Sequence, residues 1–305
     1  MINGVINVYK EKGFTSHDVV AKLRGILKQK KIGHTGTLDP DAVGVLPVCL
    51  GNATKLCDML TDKDKEYQAE ILFGKVTDTQ DISGKVIENS DKEITLKEVK
   101  SALQSFVGKQ MQIPPMYSAI KVNGKKLYEL ARQGVEVKRQ AREVTFYEIE
   151  LLDFSYPKAS IRVRCSKGTY IRTLCHDLGQ KLGCGACMFS LVRLQVERFS
   201  IKEAYTLAEI EEFVKKEKLK ELLWPVDTMF FKYPTVQVKK EIDSMLYNGN
   251  RLPVKLCVAD FLDEQVDRDV RVYDSSGNFQ GIYQYRAKEK ALCPLKMFLD
   301  IPSKR

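Results

Sequence analysis

Two strand-like runs, residues 143–155 and 159–166, follow each other almost without a gap, and a third covers 186–199. Upstream, the stretch KEYQAEILFG sets Tyr67, Ala69, Ile71 and Phe73 in alternation with Glu66, Gln68 and Glu70, the period of a half-buried strand. Residues 3–9 form a further short strand. Strands outnumber helices and arrive partly in adjacent runs, so the expected fold is α+β rather than doubly wound: a mixed, largely antiparallel central sheet with flanking helices.

The helices announce themselves by their caps. TSHDVVAKLRGILKQK carries Thr15 or Ser16 at its start and Val19, Val20, Leu23, Ile26 and Leu27 at helical spacing. Thr95 with Glu98, and Thr206 with Glu209, make capping boxes. Another helix follows an Asn123-Gly124 turn and stops at Gly134, and one more spans about 169–182. Near residue 230 the pattern changes. A short helix or helical hairpin is expected at 235–248, then a β-hairpin across Ser275–Asn278. The expected division is a domain of residues 1–230 and a small β-rich C-terminal domain of residues 231–305.

A net charge of +9 tilts the partner towards a polyanion. The N-terminal MINGVINVYKEKG lacks the apolar core of a signal peptide, and no run of 18 apolar residues occurs. Eight cysteines in such a chain read as reduced thiols, which places it in the cytoplasm.

Three features compete to carry chemistry. In GHTGTLDPDAVG (33–44) one acid, Asp39, stands among three glycines, with Pro40 after it and His34 before it. Asp39 either caps its own backbone in an Asx-turn or is aimed at a ligand. In CSKGTYIRTLCHDLG (165–179) a strand ends at Lys167-Gly168, and a helix opens with Thr169, Tyr170 and Arg172. Helix N-termini attract anions, and an arginine in the first turn opposes the helix dipole, so Arg172 points to a partner carboxylate or phosphate. The third feature is metal-like: Cys175 and His176, then Cys184 and Cys187. A single Cys-x-x-Cys beside two adjacent candidates is poor zinc spacing, and small buried hydrophobes account better for these thiols. No Gly-x-Ser-x-Gly elbow, His-Glu-x-x-His or Gly-x-Gly-x-x-Gly is found. A lone turned carboxylate without metal or cofactor suits an enzyme that grips a nucleoside and displaces its base or adds to it.

GHTGTLDPDAVGVLPVCLGNATK (33–55) closely resembles the catalytic motif of the TruB family of bacterial tRNA pseudouridine synthases. The resemblance continues through DKEYQAEILFGKVTDTQDISG (64–84), QIPPMYSAIKVNGKKLYELARQG (112–134), SKGTYIRTLCHDLGQKLGCGA (166–186) and SLVRL (190–194), and covers roughly residues 3–230. It implies a central sheet of the pseudouridine synthase type and isomerisation of uridine-55 in the tRNA T-loop, by base flipping, glycosidic cleavage and reattachment through C5. Residue by residue it makes Asp39 the catalytic aspartate, Tyr67 the tyrosine that packs on the base and assists loss of the C5 proton, and Arg172 the partner of the aspartate. Tyr170 and Leu191 line the uridine pocket, and His34 pushes into the T-loop. Lys10, Lys31, Arg132 and Arg142 are expected among the phosphate contacts. The residues 231–305 are similar to a PUA-type RNA-binding appendage.

Two departures stand out: Lys10-Glu11-Lys12-Gly13 replaces the family's early KP-x-G, and Val43 stands where a small hydroxyl residue is common. The implied partner is the tRNA T-arm stem-loop, with no metal, no cofactor, no membrane and no obligatory protein partner, the enzyme acting as a monomer. An RNA-binding protein that assists tRNA folding without catalysis is the competing reading.

Overall fold

Ten strands make one large sheet in the computed structural model, which describes residues 1–122, 124–261 and 265–299. From one edge the main path runs Leu223–Trp224, Gly4–Lys10, Val43–Leu50, Ala186–Val196, Lys65–Phe73, Lys158–Cys165, Arg142–Ser155 and Gly108–Gln112. Ile32–His34 pairs with Val43–Leu50, and Phe199–Ser200 with Ala186–Val196. Among the described residues one pairing of this sheet is parallel: Val43–Leu50 beside Ala186–Val196, with Val192 opposite Val43 and Arg193 opposite Gly44. The others are antiparallel, including the hairpin of Arg142–Ser155 and Lys158–Cys165 that the short connection requires. The α+β sheet expected from the strand runs is the one observed.

Lys65–Phe73 alternates buried and half-buried residues along its length. Its buried face, with Ala69, Ile71 and Phe73, shares a core with Val99 and Leu103 of the helix Leu96–Gln104 and Leu174 and Leu178 of the helix Ile171–Leu182. On the other half of the sheet the helices Ser16–Leu27 and Leu207–Lys215 bury Val19, Leu23 and Ile210 against Ile6, Leu46 and Val48. Thr15–Asp18, Thr95–Glu98 and Thr206–Glu209 all close as capping boxes. Of the turn expected at Asn123-Gly124, Asn123 lies outside the described residues.

A second sheet runs in the order Leu252–Pro253, Ala291–Met297, Phe279–Arg286, Arg268–Tyr273, Thr235–Val238, Cys257–Val258. Residues 235–248 depart from the expected helix. They begin as the strand Thr235–Val238, parallel to Arg268–Tyr273, and only Asp243–Tyr247 is α-helical. Val236 and Val238 are the buried face of that strand, and four residues are too few to separate a period of 2 from one of 3.6. The hairpin expected around Ser275–Asn278 is present; the Asp274 carboxylate accepts from the backbone N–H groups of Ser276 and Asn278. Ile282 and Phe298 of this C-terminal part pack with Val5, Val45 and Phe199, so the two sheets meet in a common core.

Candidate active site

The loop that carries Asp39 crosses from Ile32–His34 to Val43–Leu50 and is tied at several points. Thr35 N–H donates to the Pro47 carbonyl at 3.1 Å, and Gly13 N–H to the Pro40 carbonyl at 3.0 Å. Ser16, at the start of its helix, accepts the Leu38 N–H on Oγ at 2.9 Å. The Asp39 carbonyl closes the turn by accepting the Ala42 N–H at 3.1 Å. Backbone alone therefore makes the turn, and the Asx reading is not needed: the carboxylate is turned towards Arg172.

That arginine meets it as a fork, the geometry in which a guanidinium binds a carboxylate best. Arg172 Nε lies 3.1 Å from Asp39 Oδ2, and Nη2 donates to Oδ1 at 3.3 Å. The remaining donors are also engaged: Nη1 with Asp81 Oδ2 at 3.3 Å and the Thr79 carbonyl at 3.2 Å, Nη2 with the Tyr117 carbonyl at 2.8 Å. Asp81 is a partner that sequence reasoning missed. Its Oδ1 also accepts from Thr79 Oγ1 and Ser83 N–H, so the carboxylate is itself held in place. Burial, with Asp81 and Asp41 nearby, raises the Asp39 carboxyl above its ordinary range, and the attraction of Arg172 and Lys10 offsets only part of this. The Asp39 side chain keeps 38% of its surface exposed, against 6% for Arg172. An accessible carboxylate thus stands on a buried cation.

Tyr67, on the same face of its strand as Ala69, is 7% exposed and clusters with Leu38 and Leu191. Burial pushes its phenol up, and the Asp39 charge adds to that. Leu191 stands opposite Ala69 in the adjoining strand. Tyr170 immediately precedes the helix Ile171–Leu182. Gln112 fixes its backbone, donating from Nε2 to the Tyr170 carbonyl at 3.0 Å and accepting the Tyr170 N–H on Oε1 at 2.8 Å. His34 accepts the Gly36 N–H on Nδ1 at 3.3 Å, and its ring meets that of the exposed His17 edge-on, centroids 5.2 Å apart. Burial, then the neighbouring His17 and Arg193, lower the His34 imidazole. A neutral ring is favoured there.

The basic residues divide. Lys31, Arg132 and Arg142 are exposed, Arg132 lying over the Tyr128 ring at 5.5 Å. Lys10 is not a surface contact: it is fully buried, and its Nζ donates to the carbonyls of Pro40 at 3.0 Å and Glu11 at 3.2 Å. The stretch 10–13 braces the Asp39 loop from beneath instead. Lys167 pairs with Asp62 at 2.8 Å, both side chains exposed. Cys165, Cys175, Cys184 and Cys187 are free and buried. Burial pushes the Cys187 thiol up to about 11 and that of Cys165 to about 12, which disfavours the thiolate a metal needs. Among the described residues no group of three His, Cys, Asp or Glu is arranged to hold a metal.

With that geometry in place, the likenesses to known proteins are specific. Residues 24–171 match the model of the TruB family pseudouridylate synthase N-terminal domain, and residues 172–230 that of the tRNA pseudouridylate synthase B C-terminal domain. A protein named tRNA pseudouridine synthase B from Lachnoclostridium phytofermentans is 54% identical over 307 residues, 98% of this chain and 100% of that one. One of the same name from Clostridium tetani is 44% identical over 285 residues, covering 93% and 96%. Among solved structures, a chain of a Cbf5-Nop10-Gar1 complex superposes with a TM-score of 0.72 at 27% identity, over 97% of this chain and 85% of that one. A chain of the archaeal box H/ACA sRNP Nop10-Cbf5 complex gives 0.69 at 25%, over 97% and 86%.

Proposed function

The chain belongs to the TruB family of pseudouridylate synthases, and from that premise we propose that it converts uridine-55 in the T-loop of tRNA to pseudouridine, with Asp39 as the reacting group. It is an isomerase acting on tRNA. The observation that carries the role of Asp39 is the fork with Arg172: a half-exposed carboxylate, raised by burial and held by a buried cation, beside the apolar cluster of Tyr67, Leu38 and Leu191.

Flipping a loop nucleotide costs about a few kcal/mol. Stacking of its base on Tyr67 offsets part of that, at roughly 1–3 kcal/mol. The Asp39 carboxylate then attacks the uridine, at the ribose or at the ring, the glycosidic bond breaks, and the uracil turns and rejoins through C5. Tyr67 assists departure of the C5 proton. Arg172 keeps Asp39 ionised and aligned against the burial that favours its acid form. Tyr170 and Leu191 wall the pocket, and His34 fills the gap the extruded nucleotide leaves.

Lys31, Arg132 and Arg142 supply phosphate contacts, and residues 231–305 serve as a small PUA-like RNA-binding domain. On this reading the enzyme works in the cytoplasm as a monomer without metal, organic cofactor or obligatory protein partner. The bacterial relatives, matched along nearly the whole chain, support the tRNA substrate of this reading. Among the described residues no helix is long and apolar enough to cross a membrane.

The test is tritium release from unmodified tRNA transcript labelled at uracil C5, with the product mapped by carbodiimide primer extension. Wild type should release tritium and give one stop in the T-loop, while Asp39→Asn binds RNA but releases none. Turnover by Asp39→Asn would remove Asp39 from its role. Binding without release by either protein would favour the RNA-folding reading.

A further inference from the structure

Arg193 is a charged side chain at a position the sheet would otherwise fill with an apolar one. It is 1% exposed, among the largest fully buried side chains of the molecule. Three backbone carbonyls accept from it, Val45 from Nε at 2.6 Å, Thr37 from Nη1 at 3.5 Å and Gly36 from Nη2 at 3.3 Å, and a side-chain hydrogen bond joins it to Tyr67. Thr37 and Gly36 lie in the loop that carries Asp39, and Val45 is the third residue of the strand that follows it. None of these partners is a carboxylate, so the charge is solvated by dipoles but not neutralised.

The main chain at Arg193 is equally close to the loop. Gly44, at the loop's exit, has φ +104°, and a Cβ there would lie 2.3 Å from the Arg193 carbonyl oxygen. On its other side Arg193 stands directly opposite Tyr67 in the antiparallel pair. Residues so paired share a face, with Cβ atoms about 4.5–5.5 Å apart. One side chain therefore sits between the loop of the reacting carboxylate and the tyrosine beside it.

We propose that Arg193 is a positioning residue of the site, pinning the loop that aims Asp39 and presenting a fixed positive charge to the Tyr67 hydroxyl. This rests on the reading of Asp39 as the reacting carboxylate. Buried as it is, Arg193 acts on the substrate only through these two groups. A pre-oriented charge costs no reorganisation during the reaction, and one that favours the phenolate raises the share of Tyr67 that is ionised and free to take up a proton. The same charge opposes protonation of His34, Lys10 and Lys65, which places it electrically at the centre of the site.

Arg193→Met and Arg193→Lys in the full chain separate the two tasks. Three measurements are made on each: urea stability, kcat and KM for unmodified T-arm RNA, and the pH titration of the Tyr67 ring by ¹³Cζ NMR, assigned with Tyr67→Phe. Arg193→Met should lower kcat about 10²-fold with KM little changed, and move the Tyr67 titration to higher pH. Arg193→Lys keeps the charge but reaches fewer carbonyls, so kcat falls while the Tyr67 titration stays near that of the wild type.

Wild-type kcat in either folded variant overturns the proposal. So does an unmoved Tyr67 titration in Arg193→Met. If that variant does not fold, the kcat of Arg193→Lys decides alone. Asp39→Asn run in parallel keeps the two readings apart. Turnover there sinks the site assignment, whereas its loss beside a fully active Arg193 variant sinks only the role of Arg193.

Discussion

Asp39 shares Arg172 with Asp81, so one guanidinium serves two carboxylates. Burial and that second negative charge both raise Asp39, and on the proposed mechanism the ionised form is the one that reacts. The acidic limb of kcat should therefore lie above the ordinary carboxylate range, with activity lost as pH falls through it. Asp81→Asn, by removing a like charge, should move that limb to lower pH in a tritium-release profile; an unmoved limb would mean another group titrates. Lys65 offers a readout on stability. It is 8% exposed, donates from Nζ to the carbonyls of Thr61 and Lys63, and burial lowers it to about 8. A lysine lowered on folding penalises the fold fully below its folded value, and the penalty fades as pH rises towards its unfolded one. The stability of Lys65→Met relative to wild type should accordingly fall by about 2 kcal/mol between roughly pH 7 and 10, checked by urea titration at each pH. At this scale the sequence motifs singled out Asp39, Tyr67 and Arg172, and the fold brings Asp39 and Arg172 into contact. They were silent on Asp81 and Arg193, because an acid in a polar turn and an arginine in an alternating strand both look solvated. Lys10 was misread for the same reason.

The strand and helix pattern was legible wherever a period had room to repeat. Nine residues of alternation located Lys65–Phe73, capping boxes located two helices, and apolar spacing behind a cap located Ser16–Leu27. The element that failed, Thr235–Val238, is too short to show a period. What no local pattern announces is the parallel pairing of Val43–Leu50 with Ala186–Val196, since it joins segments far apart in the chain. Gly44 is where that pairing is tightest. Gly44→Ala would force a Cβ onto the Arg193 carbonyl at an angle alanine avoids, and should cost more than about 2 kcal/mol. Gly13→Ala is the control. It has positive φ but nothing within 4 Å, and should cost only about 1–2 kcal/mol. Equal losses in urea unfolding would mean that backbone angle, and not contact with Arg193, governs the site.

Over the whole molecule the surplus of +9 should appear as salt sensitivity of tRNA binding. Each phosphate contact contributes about 0.7–0.9 to the slope of log K against log salt concentration. Arg132→Gln, Arg142→Gln and Lys31→Gln should each lower the slope by about that amount if they touch backbone. Lys10→Gln, by contrast, should cost stability and leave the slope alone. The shared core of Val5, Val45, Phe199, Ile282 and Phe298 binds the first strand to the C-terminal part, and the site is dispersed in the same manner. Asp39, Tyr67, Arg172 and Arg193 lie on four separate segments, and the loop of the first is pinned by the last. A ribosome adding about 5–20 residues per second needs roughly 8–30 s to pass from Asp39 to Arg193. Throughout that interval the emerging chain has the ties from Gly13, Ser16 and Pro47 to its charged loop but lacks those from Arg193. On the roles proposed for Asp39 and Arg193, a fragment ending before Arg193 should release no tritium from labelled tRNA.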